Sequence, residues 1–161
     1  MLTLTRKTDY ALIALTHLAQ EPAGCSSARE IAERYQIPLP LLMNVLKLLT
    51  QRGLARSVRG PRGGYTLAEP AGGITLRSIV QAVEGPVHLV RCVPRREESG
   101  FVGGKKACEL MAQCPVRSSI HKVHDRLIQF LDELTLADIV NHHGDADQPA
   151  PEPQATQLAP A

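Results

Sequence analysis

The sequence predicts a mainly α-helical fold carrying one small β-hairpin, and three observations predict it. Of the 161 residues 43% are hydrophobic but only 3% are aromatic, with no Trp, so the core must be built from Leu, Ile, Val and Ala, a composition that favours helices. Apolar residues recur at three- and four-residue steps along most of the chain, the period of an amphipathic helix. Only between Leu54 and Leu67 does that period give way to two short runs around a Gly- and Pro-rich turn. The length suits one domain of about 100 to 150 residues with extensions.

The elements follow in order. Thr5 to Gln20 places Tyr10, Ile13, Ala14, His17 and Leu18 on one helical face, and Pro22 and Gly24 end it. Ser27, with Glu30 three residues later, has the S-x-x-E form in which two side chains satisfy free amides at a helix start; that second helix is short and ends near Tyr35. Pro38 and Pro40 sit where a first helical turn tolerates proline, and Leu42, Val45, Leu46 and Leu49 mark the buried stripe of a third helix that stops at Gly53. Leu54 to Val58, the turn Arg59 to Gly64, and Tyr65 to Leu67 read as strand, turn and strand. Thr75 to Val83 reads as a fourth helix stopped by Gly85 and Pro86. After a loop rich in Gly and charge, Val116 to Leu134 is a long amphipathic run (Ile120, Val123, Leu127, Ile128, Leu131, Leu134), and Leu136 to Val140 forms a short last helix. From Gly144 the Pro-, Gln- and Ala-rich tail lacks the apolar content to fold. The expected division is a head at 1–85, a cysteine loop at 86–114, a pairing helix with the short last helix at 115–143, and a tail at 144–161.

Charge gives this architecture a purpose. The net charge is only +2, yet Ile37 to Leu67 holds Lys47, Arg52, Arg56, Arg59 and Arg62 with no acid, whereas Gly144 to Ala161 holds Asp145, Asp147 and Glu152 with no base. A local excess of one sign steers a polyanion to a surface. Two short helices joined by a tight turn, followed by a basic hairpin, make a winged helix-turn-helix, whose second helix enters the DNA major groove. The outward residues of the third helix, Pro40, Leu41, Met43, Asn44, Lys47 and Leu48, are the candidate base readers: Asn44 suits adenine, and Leu41 and Met43 suit thymine methyls. The competing expectation for Leu41 and Met43 is packing on the hairpin or the first helix. Arg59, Pro61 and Arg62 form a narrow cationic tip suited to the minor groove, and Lys47, Arg52 and Arg56 suit phosphates. A Gly-rich nucleotide cradle is the other reading of this stretch. A phosphate loop, however, follows a strand and opens a helix, and here the glycines lead into Tyr65-Thr66-Leu67.

The long helix needs a cover for its apolar stripe. A second copy of itself is the simplest one, and a two-fold homodimer matches a pseudo-palindromic operator on double-stranded DNA; packing on its own domain is the alternative. No apolar run approaches the roughly 20 residues of a membrane span and no signal peptide is legible, so the expected location is the cytoplasm. Three of the four cysteines, Cys92, Cys108 and Cys114, lie in the loop before the long helix. A disulfide, a metal site and unreactive thiols are all open readings, and a reducing compartment favours metal ligands or redox thiols over a staple. Cys25 stands apart as a bystander. No paired carboxylates, nucleophile–base signature or two-Cys knuckle is visible, so the chain is expected not to be an enzyme.

Several stretches together resemble the IscR and NsrR type of bacterial winged-helix transcription regulators, the Rrf-two family: "LTRKTDYALIAL", "REIAERYQIPLPLLMNVLKLLTQRGLARSVRGPRGGYTLAEP", "ITLRSIVQAVEGP", the following cysteines, and "FLDELTLADIV". The resemblance runs from Leu2 to about Asn141. It implies a homodimer that binds DNA through the third helix and the wing, holding an iron–sulfur cluster, 2Fe–2S or 4Fe–4S, on Cys92, Cys108 and Cys114. Thiolates are soft donors suited to such clusters. Cys108 and Cys114 keep the familiar five intervening residues, whereas fifteen separate Cys92 from Cys108, an insertion whose closure entropy grows slowly with length. Some relatives take a fourth ligand from a His three residues past the last Cys, where this chain has Arg117; others use an acid on the partner's first helix, where Asp9 stands. His121 and His124, one to two turns into the long helix, are outside candidates for that ligand and are expected instead at the surface or a dimer contact. The resemblance leans to regulators, expected to be repressors, of iron–sulfur assembly genes. A nitric-oxide or redox sensor and a cluster-free thiol-based regulator are the alternatives.

Overall fold

The computed structural model describes residues 4–21, 24–60, 63–89, 108 and 113–142. Along them run α1 (Arg6–Gln20), α2 (Ala28–Tyr35), α3 (Leu39–Gln51), β1 (Ala55–Val58), β2 (Gly64–Leu67), α4 (Leu76–Glu84), α5 (Arg117–Glu133) and α6 (Leu136–His142), with one 3-10 turn at Ala71–Gly73. The Pro-, Gln- and Ala-rich tail read from Gly144 onward lies outside the described residues.

Local side chains set the helix starts. The Thr5 hydroxyl accepts from the Lys7 amide at α1. At α2 the Ser27–Glu30 pair closes both ways: the Glu30 amide donates to Ser27 Oγ (3.2 Å) and the Ser27 amide donates to Glu30 Oε2 (2.7 Å). Those bonds hold the Glu30 carboxyl below its ordinary pKa. Thr75 caps α4 through the Ser78 amide (3.1 Å). No side chain caps α3; Pro38 is its N-cap residue, and Pro40 stands inside the first turn, where its missing amide would have had no helical partner. Between α2 and α3, Gln36 turns left-handed (φ 53°) and buried Ile37 anchors the bend. Gly53 (φ 75°) ends α3, with its amide donating to the Thr50 carbonyl (3.1 Å) and that of Leu54 to the Leu49 carbonyl (2.9 Å). This paired closure returns Leu54 to the core and starts β1 at once.

The core lies where α3 meets α1 and α4. Leu42, Val45, Leu46 and Leu49 of α3 pack with Ala11, Ala14, Leu15 and Leu18 of α1, Ile31 of α2 and Ile79 of α4. The last helix joins them. Backbone bonds from Leu76 to the Leu134 carbonyl (2.7 Å) and from Leu136 to the Ile74 carbonyl (2.8 Å) stitch the start of α6 to the start of α4 and bury Leu136 completely. The sequence grouped this segment with the long helix; its packing partners are α1 and the 3-10 turn.

The hairpin is antiparallel, with Ala55 opposite Leu67 and Val58 opposite Gly64. A second backbone pair attaches it to the body: the Ser26 amide donates to the Tyr65 carbonyl (3.0 Å) and the Tyr65 amide to the Ser26 carbonyl (2.8 Å). Gly64 makes that crossing possible, because a Cβ there would run into the Ser26 carbonyl group and the Ser27 nitrogen.

Under this crossing lies His17, buried, with Nε2 2.9 Å from Ser26 Oγ and Nδ1 3.3 Å from the Tyr35 hydroxyl. Burial first, then the Arg34 charge, pushes its pKa below the ordinary value near 6.5, against smaller opposing effects of Glu21 and Glu30. A folded-state pKa below the unfolded one means that the neutral ring is preferred in the fold. Its contribution is therefore complete above pH about 6.5 and is lost as pH falls through the lower folded value. Thermal melts from neutral to mildly acid pH should show a falling Tm that His17→Gln flattens; an equally steep fall in the variant would remove His17 from this account.

Candidate nucleic-acid interface

Because a helix repeats every 3.6 residues, burying Leu42, Val45, Leu46 and Leu49 turns the rest of α3 outward. Pro40, Asn44 and Lys47 are exposed, and Leu48 is half-buried. Leu41 and Met43 are 47% and 51% exposed, so they do not pack away against the hairpin or α1. An apolar pair on an otherwise wet helix face is a surface awaiting a partner.

Arg52 at the end of α3, Arg56 on β1 and Arg59 just beyond it are all exposed. Among the described residues none of them, nor Lys47, is held by a carboxylate. Five positions of the candidate surface thus keep their charge or hydrogen-bonding capacity for something outside the chain: Asn44, Lys47, Arg52, Arg56 and Arg59. Pro61 and Arg62 lie outside the described residues.

Of the candidate cluster ligands, Cys108 and Cys114 are half-buried free thiols; Cys25 is half-buried as well, and Cys92 lies outside the described residues. Cys114 sits at the entrance to α5, where its carbonyl accepts from the Arg117 amide (3.4 Å). Asp9 is exposed on the first turn of α1. That turn is fastened to the end of α4 by Glu84, a contact the sequence did not reveal. Glu84 Oε1 accepts from the hydroxyls of Thr5 and Thr8 (the latter 2.7 Å) and from the Thr5 amide (3.3 Å), and these bonds hold its carboxyl below the usual range. Asp9 is therefore presented from an anchored element. Among the described residues no three His, Cys, Asp or Glu side chains already enclose a metal position.

One expectation needs correction. His124 is neither at the surface nor free for a dimer contact: it is 7% exposed and lies nearly parallel to His88, with ring centroids 6.3 Å apart. His121, half-buried one turn earlier, lines the same cleft of about 720 Å³ between α4 and α5. The H-x-x-H-D spacing at 121–125 was a visible signal; the approach of His88 across 33 positions was not.

A helix-turn-helix with an attached wing and unpaired cations on its outward face defines a winged-helix DNA-binding protein. Its residues 4–142 match the Rrf2 family, described as iron-dependent transcriptional regulator, and the chain belongs to that family. It is 34% identical over 140 residues to the HTH-type transcriptional regulator IscR of Citrobacter koseri, covering 86% of this chain and 80% of that protein. Among solved structures it is similar to T. potens IscR (TM-score 0.66, 26% identity, 93% of this chain and 94% of that one). It is similar also to CymR, the global cysteine regulator of B. subtilis (TM-score 0.67, 25% identity, 88% and 98%). The protein is thus a transcriptional regulator of the Rrf2 type.

Proposed function

We propose that the chain is a homodimeric regulator that reads a pseudo-palindromic operator with α3 and the wing, its affinity set by an iron–sulfur cluster on Cys92, Cys108 and Cys114. The observation that carries the dimer is on α5. Val116, Val123 and Phe130 recur every seven residues and are 59%, 54% and 55% exposed, while Ile120, Leu127 and Leu134 each follow four positions on, half-buried. Steps of four and three over this length are the seam of a two-helix coiled coil. Each such side chain contributes about 1.5–3 kcal/mol on full burial. The opposite side of α5 is already occupied by α4, which leaves the seam for a second copy. The two heads then face half-sites about one DNA turn apart.

On this reading Asn44 hydrogen-bonds a base edge, Leu41 and Met43 meet thymine methyls, and Pro40 sits at the groove wall. Lys47, Arg52 and Arg56 bind phosphates, and Arg59, Pro61 and Arg62 enter the minor groove. The donor set fits a cluster: soft thiols at Cys108 and Cys114, free of disulfides, precede the paired helix in the chain. When bound, the cluster supplies a redox-labile centre. Cys108 and Cys114 then tie the loop to the start of α5, and Asp9 of the partner subunit is offered as a fourth, hard and weakly held ligand. Loop and seam share α5, so ordering one biases the spacing of the heads. Among the described residues no helix is long and apolar enough to cross a membrane, in keeping with a cytoplasmic regulator, for which iron–sulfur assembly genes are the proposed targets. The likeness to CymR favours a second reading, a cluster-free regulator responding through the same thiols.

Two experiments follow. Against a duplex selected from a random pool, Asn44→Ala should cost about 1–3 kcal/mol on the selected sequence only, whereas Lys47→Ala should weaken all duplexes and lower the salt slope by about one. Equal losses on all sequences for Asn44→Ala would remove it as a reader. Anaerobically purified protein should be brown with iron and acid-labile sulfide, and Cys108→Ala should bleach it. Colourless, thiol-reactive wild-type protein would support the cluster-free reading instead.

A further inference from the structure

We propose that His88, His121 and His124, with Asp125, form a site for a divalent transition-metal ion of the zinc class, separate from the cysteine loop. The site lies in the cleft between α4 and α5, and three observations meet there. The first is the buried His124 ring: among the described residues its Nδ1 has no hydrogen-bond partner, and neither has Nε2 of half-buried His121, although both atoms are shut off from solvent. A buried polar atom left this way has lost water and gained nothing. Such atoms on two neighbouring imidazoles in one cleft point to a ligand that only they complete.

The second observation is spacing. His121 and His124 stand three apart on α5 and His121 and Asp125 four apart, so all three side chains rise from one face of the helix. His88 arrives from the segment after α4 and stacks on His124 with only 15° between the ring planes. The third is charge. Asp125, Asp132 and Glu133 line the cleft with a single guanidinium, Arg77, which already binds Asp132 at 2.6 Å. The surplus is negative, so the occupant is a cation, and neutral imidazole nitrogen beside carboxylate oxygen is the donor set of zinc and its neighbours rather than of calcium or magnesium.

Among the described residues no three such side chains converge as they stand, so the ion closes the site by side-chain rotation. For the His88 and His124 rings the movement is small. Two imidazoles sharing a tetrahedral ion with bonds of roughly 2.0–2.1 Å place their centroids about 5 Å apart, against 6.3 Å here. Closure ties the segment that leads into the cysteine loop to the middle of α5, whether or not that loop holds a cluster.

Cobalt(II) separates the two sites, because thiolate ligands add an intense near-ultraviolet charge-transfer band that nitrogen and oxygen ligands lack. Full-length protein with all four cysteines replaced by Ser should bind one Co(II) per chain and show the visible bands of a four-coordinate ion without charge transfer. His124→Gln in that background should weaken binding at least about 100-fold, the upper end of what loss of a mere outer-shell partner costs. His121→Gln, at a less buried position, should weaken it too, and thermal melts would confirm that both variants fold. No Co(II) bound by the cysteine-free protein, or affinity untouched by both His variants, would overturn the proposal. Neither result bears on the iron and sulfide content of the wild type.

Discussion

Everything the molecule presents to a partner depends on one packing constraint: four aliphatic side chains of α3, at positions 42, 45, 46 and 49, are locked against α1 and α4. Once they are buried the helix can neither rotate nor slide without exposing them, so the direction of Leu41, Met43, Asn44 and Lys47 is decided by the core rather than by the interface. Replacing any one of the buried leucines by Ala would cost about 2–5 kcal/mol, a large share of the stability of a domain this size. The reading face is rigid because its back is solid.

The wing is positioned by a different device. Two strands of four residues are too short to stand alone, and the hairpin holds because Tyr65 adds a backbone pair to Ser26, a residue whose hydroxyl also meets His17. The turn before α2, the wing and the middle of α1 thus share one small polar joint. Asp9, at the start of the same α1, is fastened through Thr5 and Thr8 to Glu84 at the far end of α4. Wing, reading helix and candidate cluster ligand are all referred to α1, which gives a change at the dimer seam a stiff element to act through.

Much of this was legible in the sequence, for local reasons. The S-x-x-E cap, the prolines at the start of α3, the Gly53 stop and the strand–turn–strand pattern each depend on residues a few positions apart, and the structure carries them with shifts of about one residue at the ends. The outward face of α3 followed from periodicity alone. What escaped was long-range. Nothing local announces that Gly64 must make room for Ser26, that Thr135 meets Thr75 and draws α6 into the core, or that Glu84 reaches Thr5. His124 misled for a related reason: a polar residue on an amphipathic helix reads as solvated, and only the arrival of His88 from 36 positions upstream makes it interior.

The central claim is that the outward side of α3 and the hairpin together form the DNA-contacting surface. Hydrogen–deuterium exchange on the full-length chain, with and without a duplex selected from a random pool, tests it directly. Slowed exchange in peptides covering 39–51 and 55–67, with peptides covering 136–142 unchanged, is the predicted result. Protection confined to α5 or α6, with α3 exchanging as it does in the free protein, would contradict it.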